Sequence, residues 1–214
     1  MGNNMEVWKP LTVNEVKELF NKIPINWWIA GGWALDIYLG RKTREHDDID
    51  IVILREDYLI LQRYLYNNWE MYIATKGQLI KWEKDDNLDS QYDNIWIKKK
   101  GSSTWDFQVM LLDTEDNVWL YKRKNTVRKT IKDIGYKSSM GVPYLRPEIQ
   151  LLYKGGSSLL RDKDSIDLEN VIPKLKMDDL KWLRDSLAEQ FPNGHRWITY
   201  LNRMIISKKT SKTL

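Results

Sequence analysis

The sequence predicts an α+β fold, with strands and helices interleaved first and a helical subdomain last. Three observations carry this expectation. Up to about residue 140, short apolar or alternating runs recur between turn signals, as in Ile49, Ile51 and Ile53 or Trp105, Phe107 and Val109. Glycines and prolines at Gly135, Gly141, Pro143 and Pro147 then mark a transition. Beyond it, apolar residues recur at helical spacing, as in Leu180, Leu183, Leu187 and Phe191. The chain has 214 residues, enough for a sizeable core, and it divides into residues 1–140 and 141–214.

Each element has a local reason. Thr12 followed by Glu15 forms a capping box, and Val13, Val16, Leu19 and Phe20 repeat at helical spacing, so a helix covers 13–22 and stops before Pro24. An apolar entry at 27–30 leads into Gly31-Gly32, a helix follows at 33–39, and Gly40 closes it. A strand covers 49–54, and a helix at 57–67 carries Tyr58, Leu61, Tyr64 and Leu65 on one side. Strands are predicted at 70–75, 79–82 and 94–98. The acidic stretch 83–93 reads as a solvated loop, or else as a negative lip for a cationic acceptor. A strand at 103–112 places Asp106, Gln108 and Met110 on one face. Pro147 opens a helix that Gly155-Gly156 closes. Helices at 164–172, 178–190 and 195–206 complete the chain, with a frayed tail at 208–214.

Composition narrows the chemistry. With no cysteine, disulfides, thiolate metal sites and cysteine nucleophiles are excluded. Two histidines, His46 and His195, lie in different segments and make no transition-metal cluster. No run approaches the ~18 apolar residues of a membrane span, and residues 1–10 lack the apolar core of a signal peptide, which points to a cytoplasmic protein. The net charge of +4 is modest and forms no basic stripe, which argues against a nucleic-acid partner. The 11 tryptophans are assigned mostly to the core, with some left to wall a pocket for a flat or sugar-like ligand.

The chemistry concentrates between Gly31 and Asp50. A glycine pair at a helix start lets backbone N–H groups approach phosphate, and the helix end adds positive potential. At the head of an apolar strand, Asp48 and Asp50 share one face, and their mutual repulsion is relieved by a hard divalent cation between them. Asp47 faces away and reads as a turn residue. Singly, a Gly-Gly or an Asp-x-Asp also reads as an ordinary turn or strand end; the ordered combination is what points to a site.

The run from Gly31-Gly32-Trp33-Ala34-Leu35-Asp36 to Thr43-Arg44-Glu45-His46-Asp47-Asp48-Ile49-Asp50 resembles the active-site signature of the polymerase-β-like nucleotidyltransferases. Within that superfamily it is most similar to the aminoglycoside 2″-adenylyltransferase branch, with lincosamide nucleotidyltransferases nearby. The resemblance implies a mixed β-sheet core with flanking helices, a nucleoside triphosphate co-substrate and Mg2+ in a two-metal site. It also implies a third carboxylate on a neighbouring strand, for which Asp106 is the candidate ahead of Asp93 and Asp113. Asp48, Asp50 and Asp106 are thus expected to be catalytic and metal-ligating, and Gly31, Gly32, Arg44 and Lys154 to bind nucleotide. Arg44 alternatively pairs with an acidic neighbour, Lys154 alternatively faces solvent, and Glu148 is an alternative general base. The implied activity is transfer of a nucleoside monophosphate, AMP from ATP, to a hydroxyl of a small molecule such as an aminoglycoside-like antibiotic. Transfer to a protein or RNA, or non-catalytic nucleotide binding, are the competing expectations.

Overall fold

The computed structural model describes residues 7–210, so residues 1–6 of the leader reading and residues 211–214 of the tail reading lie outside it. The chain enters through α1 (Val13–Phe20), where Thr12 Oγ1 accepts the Glu15 N–H and Glu15 in return accepts the Thr12 N–H, the expected capping box. Then follow β1 (Trp27–Ile29), α2 (Gly31–Leu39), β2 (Asp50–Leu54) and α3 (Tyr58–Leu65). The strands β3 (Trp69–Thr75), β4 (Gln78–Lys81), β5 (Asn94–Lys99) and β6 (Phe107–Leu112) come next. Short strands β7 (Thr114–Glu115), β8 (Val118–Leu120), β9 (Arg128–Thr130), β10 (Gly135–Lys137) and β11 (Pro143–Leu145) lead to helices α4 (Pro147–Gly155), α5 (Asp162–Val171), α6 (Met177–Gln190) and α7 (Arg196–Thr210).

Eight strands form one mixed sheet in the order β10-β11-β1-β2-β6-β5-β3-β4, with β1–β11 and β2–β6 parallel and the other pairs antiparallel. A separate three-stranded sheet joins β7, β8 and β9. The transition near residue 140 is less sharp than expected, because β10 and β11 pair as a hairpin across it and β11 runs beside β1. The 140/141 division therefore falls inside the main sheet, and the all-helical part begins at Pro147.

Two cores flank the sheet. One face carries Ile51, Ile53, Ile95, Ile97, Phe107 and Val109, covered by Val16 and Phe20 of α1 and by Leu61 and Leu65 of α3. On the opposite face, Trp28, Val52 and Leu54 pack under α4 to α7 through Ile149, Leu152, Leu168, Leu183 and Leu201. Burying each such aliphatic side chain contributes about 1.5–3 kcal/mol. The helices cover this second face over β1 and β2, and from β6 outward the residues Gln108, Trp96 and Tyr72 are only half-buried. A cleft opens where the helical cover stops. Among the described residues no helix is long and apolar enough to cross a membrane.

Candidate active site

The cleft has a volume of about 750 Å³, and Gly31, Gly32, Asp48 and Asp50 stand on one side of it. Gly31 has φ +64°, and a Cβ there would collide with the Asp50 carboxylate. A Cβ on Gly32 would collide with the His46 ring and with Arg44. The glycine pair is thus required by the close approach of the very side chains that make the site. Gly31 N–H donates to Gln150 Oε1 of α4 at 2.8 Å, so it is already engaged, and the positive end of α2 reaches the cleft through Gly32.

The segment between α2 and β2 is braced from beneath. Asp36, 4 % exposed, accepts the Thr43 N–H at 3.0 Å and lies 2.6 Å from His46 Nε2, while the His46 ring packs 4.7 Å from Trp33. His46 is therefore spent on orientation. In β2, Asp50 pairs in register with Gln108 of β6, and Gln108 Nε2 donates to Asp50 Oδ1. Burial pushes the Asp50 carboxyl up to about 6, and the Asp48 charge adds to that, against the Gln108 bond and the nearby charges of Lys154 and Lys163.

Behind the opposite wall lies a second acidic pair, which the sequence reading missed. Asp164 and Asp167 sit one turn apart on α5, each with a side chain 1 % exposed. Asp167 takes the Arg44 guanidinium as a two-point fork, both bonds 3.0 Å, and Lys154 Nζ at 2.9 Å. Asp164 takes Lys154 at 3.3 Å and a fork from Arg161 at 3.0 Å. Burial alone would raise both carboxyls; the Arg161 bonds to Asp164 and the Arg44 bond to Asp167, with Lys154 beside both, outweigh it and hold them below the usual carboxylate range. The signal was present in Arg161-Asp162-Lys163-Asp164-Ser165-Ile166-Asp167, a charge-dense helix start with two acids on one face.

Arg44, Lys154, Arg161 and Lys163 line the cleft facing the carboxylates. Lys154 is buried rather than solvent-facing, at 6 % exposure, and Arg44 pairs with Asp167 rather than with Glu45, whose carbonyl it also bonds at 3.0 Å. Asp106 is not gathered with Asp48 and Asp50. It stands two residues before Gln108 on the same sheet face, 8 % exposed, with Oδ2 accepting the Lys99 N–H at 2.9 Å. The reason is local: β5 ends at Lys99, its N–H needs an acceptor, and Asp106 supplies one. Gln108 takes the place beside Asp50, and among the described residues no group of three acids is arranged to hold a metal. Glu148 is not in the cleft either; it is fully buried, 2.6 Å from Lys129 Nζ and 3.5 Å from Arg146.

A divalent cation fits the pair Asp48 and Asp50. Both are hard oxygen donors lining the same cleft, and the side chain bonded to Asp50 is the neutral amide of Gln108 rather than a cation.

The site thus combines a mixed sheet, a glycine-opened helix, two acids at the head of the next strand and a cationic helical wall. The fold resembles the solution structure of the antibiotic-resistance factor ANT(2″)-Ia, with a TM-score of 0.55, 15 % identity, and coverage of 85 % of this chain and 91 % of that one. The profile of the aminoglycoside-2″-adenylyltransferase family matches residues 12–171, and the chain belongs to that family. Over 51 residues it is 42 % identical to a lincosamide resistance protein of Staphylococcus haemolyticus, covering 24 % of this chain and 30 % of that protein. Over 24 residues it is 71 % identical to a 2″-aminoglycoside nucleotidyltransferase of Escherichia coli, covering 11 % and 14 % respectively. These matched stretches span less than a third of either relative.

Proposed function

We propose that the protein transfers AMP from ATP to a hydroxyl of a small-molecule antibiotic, with Mg2+ as cofactor. The observation that carries this reading is the opposition, across one cleft, of Asp48 and Asp50 to Arg44, Lys154, Arg161 and Lys163. Such a cleft accommodates a triphosphate chain with its negative oxygens toward the cations and its α-phosphorus toward the acids.

In the proposed reaction the acceptor hydroxyl oxygen forms a bond to the α-phosphorus, the bond to the bridging oxygen of the β-phosphate breaks, and pyrophosphate leaves with that electron pair. Bound magnesium would screen the phosphate charge and lower the proton affinity of the attacking hydroxyl. Asp48 and Asp50 would hold it, with Gln108 fixing the direction of Asp50. Two gathered carboxylates support one ion directly. Asp106 enters as the proton acceptor through Oδ1, the oxygen not engaged by Lys99. Lys163 and Arg161, on the cleft wall at the start of α5, would meet the departing pyrophosphate, while Lys154 and Arg44 keep that wall in place.

The reading is tested by pyrophosphate release from ATP in the presence of magnesium and either a lincosamide or an aminoglycoside. Release that requires both metal and acceptor is expected. ATP affinity that is the same with and without magnesium, or the absence of release with every acceptor, would overturn it.

A further inference from the structure

We infer that the strap 157–161, between α4 and α5, seats the nucleoside half of the bound triphosphate, with Leu159 packed against it; the inference rests on the nucleotide of the reaction proposed above. On this rim the cleft is lined by Ser157, Leu159 and Arg161, whereas residues 158 and 160 between them do not line it. Alternate residues of an extended segment share a face, and Arg161 has extended backbone at φ −92° and ψ 157°. Leu160 turns the other way and packs against the core beneath α4 to α7. Successive cleft-facing side chains of such a segment stand about 7 Å apart.

The rim therefore presents, in order, a hydroxyl, an apolar side chain and a guanidinium, and Lys163 follows on the first turn of α5. With Arg161 and Lys163 toward the departing phosphates, Leu159 falls beside the nucleoside that adjoins them. Ser157, a further 7 Å or so along, reaches a polar edge of that nucleoside, where its hydroxyl can donate or accept. Leu159 is 73 % exposed, the most exposed large apolar side chain among the described residues. It stands at the mouth of a cleft whose other rim groups are polar or charged, so phosphate oxygens gain nothing from it. The apolar face of a ribose or a base does, because the contact removes both surfaces from water.

The strap is fixed only at its ends. Before it, a Cβ on Gly156 would collide with the Tyr121 hydroxyl, and the Gly156 carbonyl accepts Gln190 Nε2 at 3.0 Å. After it, Asp164 holds the Arg161 guanidinium through two bonds of 3.0 Å. Between these anchors Ser158, Leu159 and Leu160 make no hydrogen bond with any described residue. A short segment without hydrogen bonds of its own adjusts at little cost. Its middle can thus settle onto a bound nucleoside while both ends, and the cations that follow them, stay in place.

The test is calorimetric titration of the whole protein, with magnesium present, by ATP and by inorganic tripolyphosphate, repeated on Leu159→Ala and Leu159→Met. Leu159→Ala is expected to weaken ATP about tenfold and to leave tripolyphosphate affinity unchanged, with Leu159→Met close to the parent protein. A side chain this exposed is not part of the core, so the alanine variant keeps its fold. Amide hydrogen exchange gives a second readout: the N–H groups of residues 158–160 exchange rapidly in the free protein and should slow about tenfold with ATP but not with tripolyphosphate. Unchanged ATP affinity in Leu159→Ala, equal weakening of ATP and tripolyphosphate, or exchange at 158–160 that ATP does not slow would overturn the seat. Failure of ATP to bind the parent protein would overturn the seat and the nucleotide reading together. Pyrophosphate release is read separately: ATP that binds through Leu159 but yields no pyrophosphate with any acceptor would count against the transfer reaction and not against the seat.

Discussion

Asp48 and Asp50 on one side of the cleft, and Asp164 and Asp167 behind the other, are both acid pairs close in sequence, yet Asp50 and the α5 pair are driven in opposite directions. Asp50 is buried with a like charge nearby, and these outweigh the bond from the neutral Gln108 amide, so its carboxyl holds its proton more tightly than usual. The α5 pair has three cations, Arg44, Lys154 and Arg161, within 3.3 Å and gives up its protons more readily. Two carboxylates lacking a cation form a place where one can bind; two carboxylates saturated with cations form a joint. The number of acids in a motif does not separate these roles, whereas the positive charge already supplied does.

Breaking the first pair has the largest expected effect. Asp48→Asn and Asp50→Asn should each reduce transfer by about 1000-fold or more while the fold is kept, measured by pyrophosphate release and circular dichroism. Asp50→Asn should also raise the melting temperature of metal-free protein at pH 7.5. The sign follows from a folded value of about 6 against an unfolded value near 3.9: stability is lost as pH rises through that window, so removing the acid recovers up to about 3 kcal/mol at neutral pH and nothing below pH 4. Near-normal turnover, or a lower melting temperature at pH 7.5, would move Asp50 out of this role.

For the second pair the expected loss is in folding. Asp167→Ala leaves Lys154 and Arg44 largely buried without their shared partner and should cost about 3–5 kcal/mol in chemical denaturation. A cost below about 1 kcal/mol would mean that the joint does not hold the wall. Asp106→Asn sits between the two cases: nucleotide affinity kept, rate lowered about 100-fold, with Glu148→Gln expected to lower stability and not rate. Full activity in Asp106→Asn would remove it as the proton acceptor.

Acid should then discriminate between the pairs. Because the folded values of Asp164 and Asp167 lie below their unfolded ones, their contribution is complete above the unfolded value near 3.9 and disappears as pH falls further. Melting curves between pH 2 and 5 should therefore be shallower for Asp167→Asn than for the parent protein, and identical slopes would contradict the assignment. The smallest effect is expected from Arg161→Ala, about 0.5 kcal/mol, since that side chain is 53 % exposed and its ion pair is screened by water.

The glycine pair, the Asp-x-Asp and the longer helices were legible because each is written in consecutive residues or in one repeating period. The strand alternation also placed Asp106, Gln108 and Met110 on one face correctly, yet it gave no way to see that Lys99 would claim Asp106 and that Gln108 would meet Asp50. Those are pairings between strands, set by register. The strands β7 to β11 went unassigned because they hold two or three residues each, too few to show a period. Arg44 and Lys154 were picked out individually, but the partner that unites them, Asp167, lies 123 residues beyond Arg44.

Gln150 and Lys154 stand one turn apart on α4, the first holding Gly31 at the floor and the second gripping α5 at the wall. Four residues of α-helix rise about 6 Å. The gap that the phosphates of the proposed reaction would enter is thus set by a rigid gauge, a length of helix whose backbone neither stretches nor shortens. Floor and helical wall are thus tied to one helix, and in the proposed reaction a widening that releases product would come from the uncovered side of the sheet.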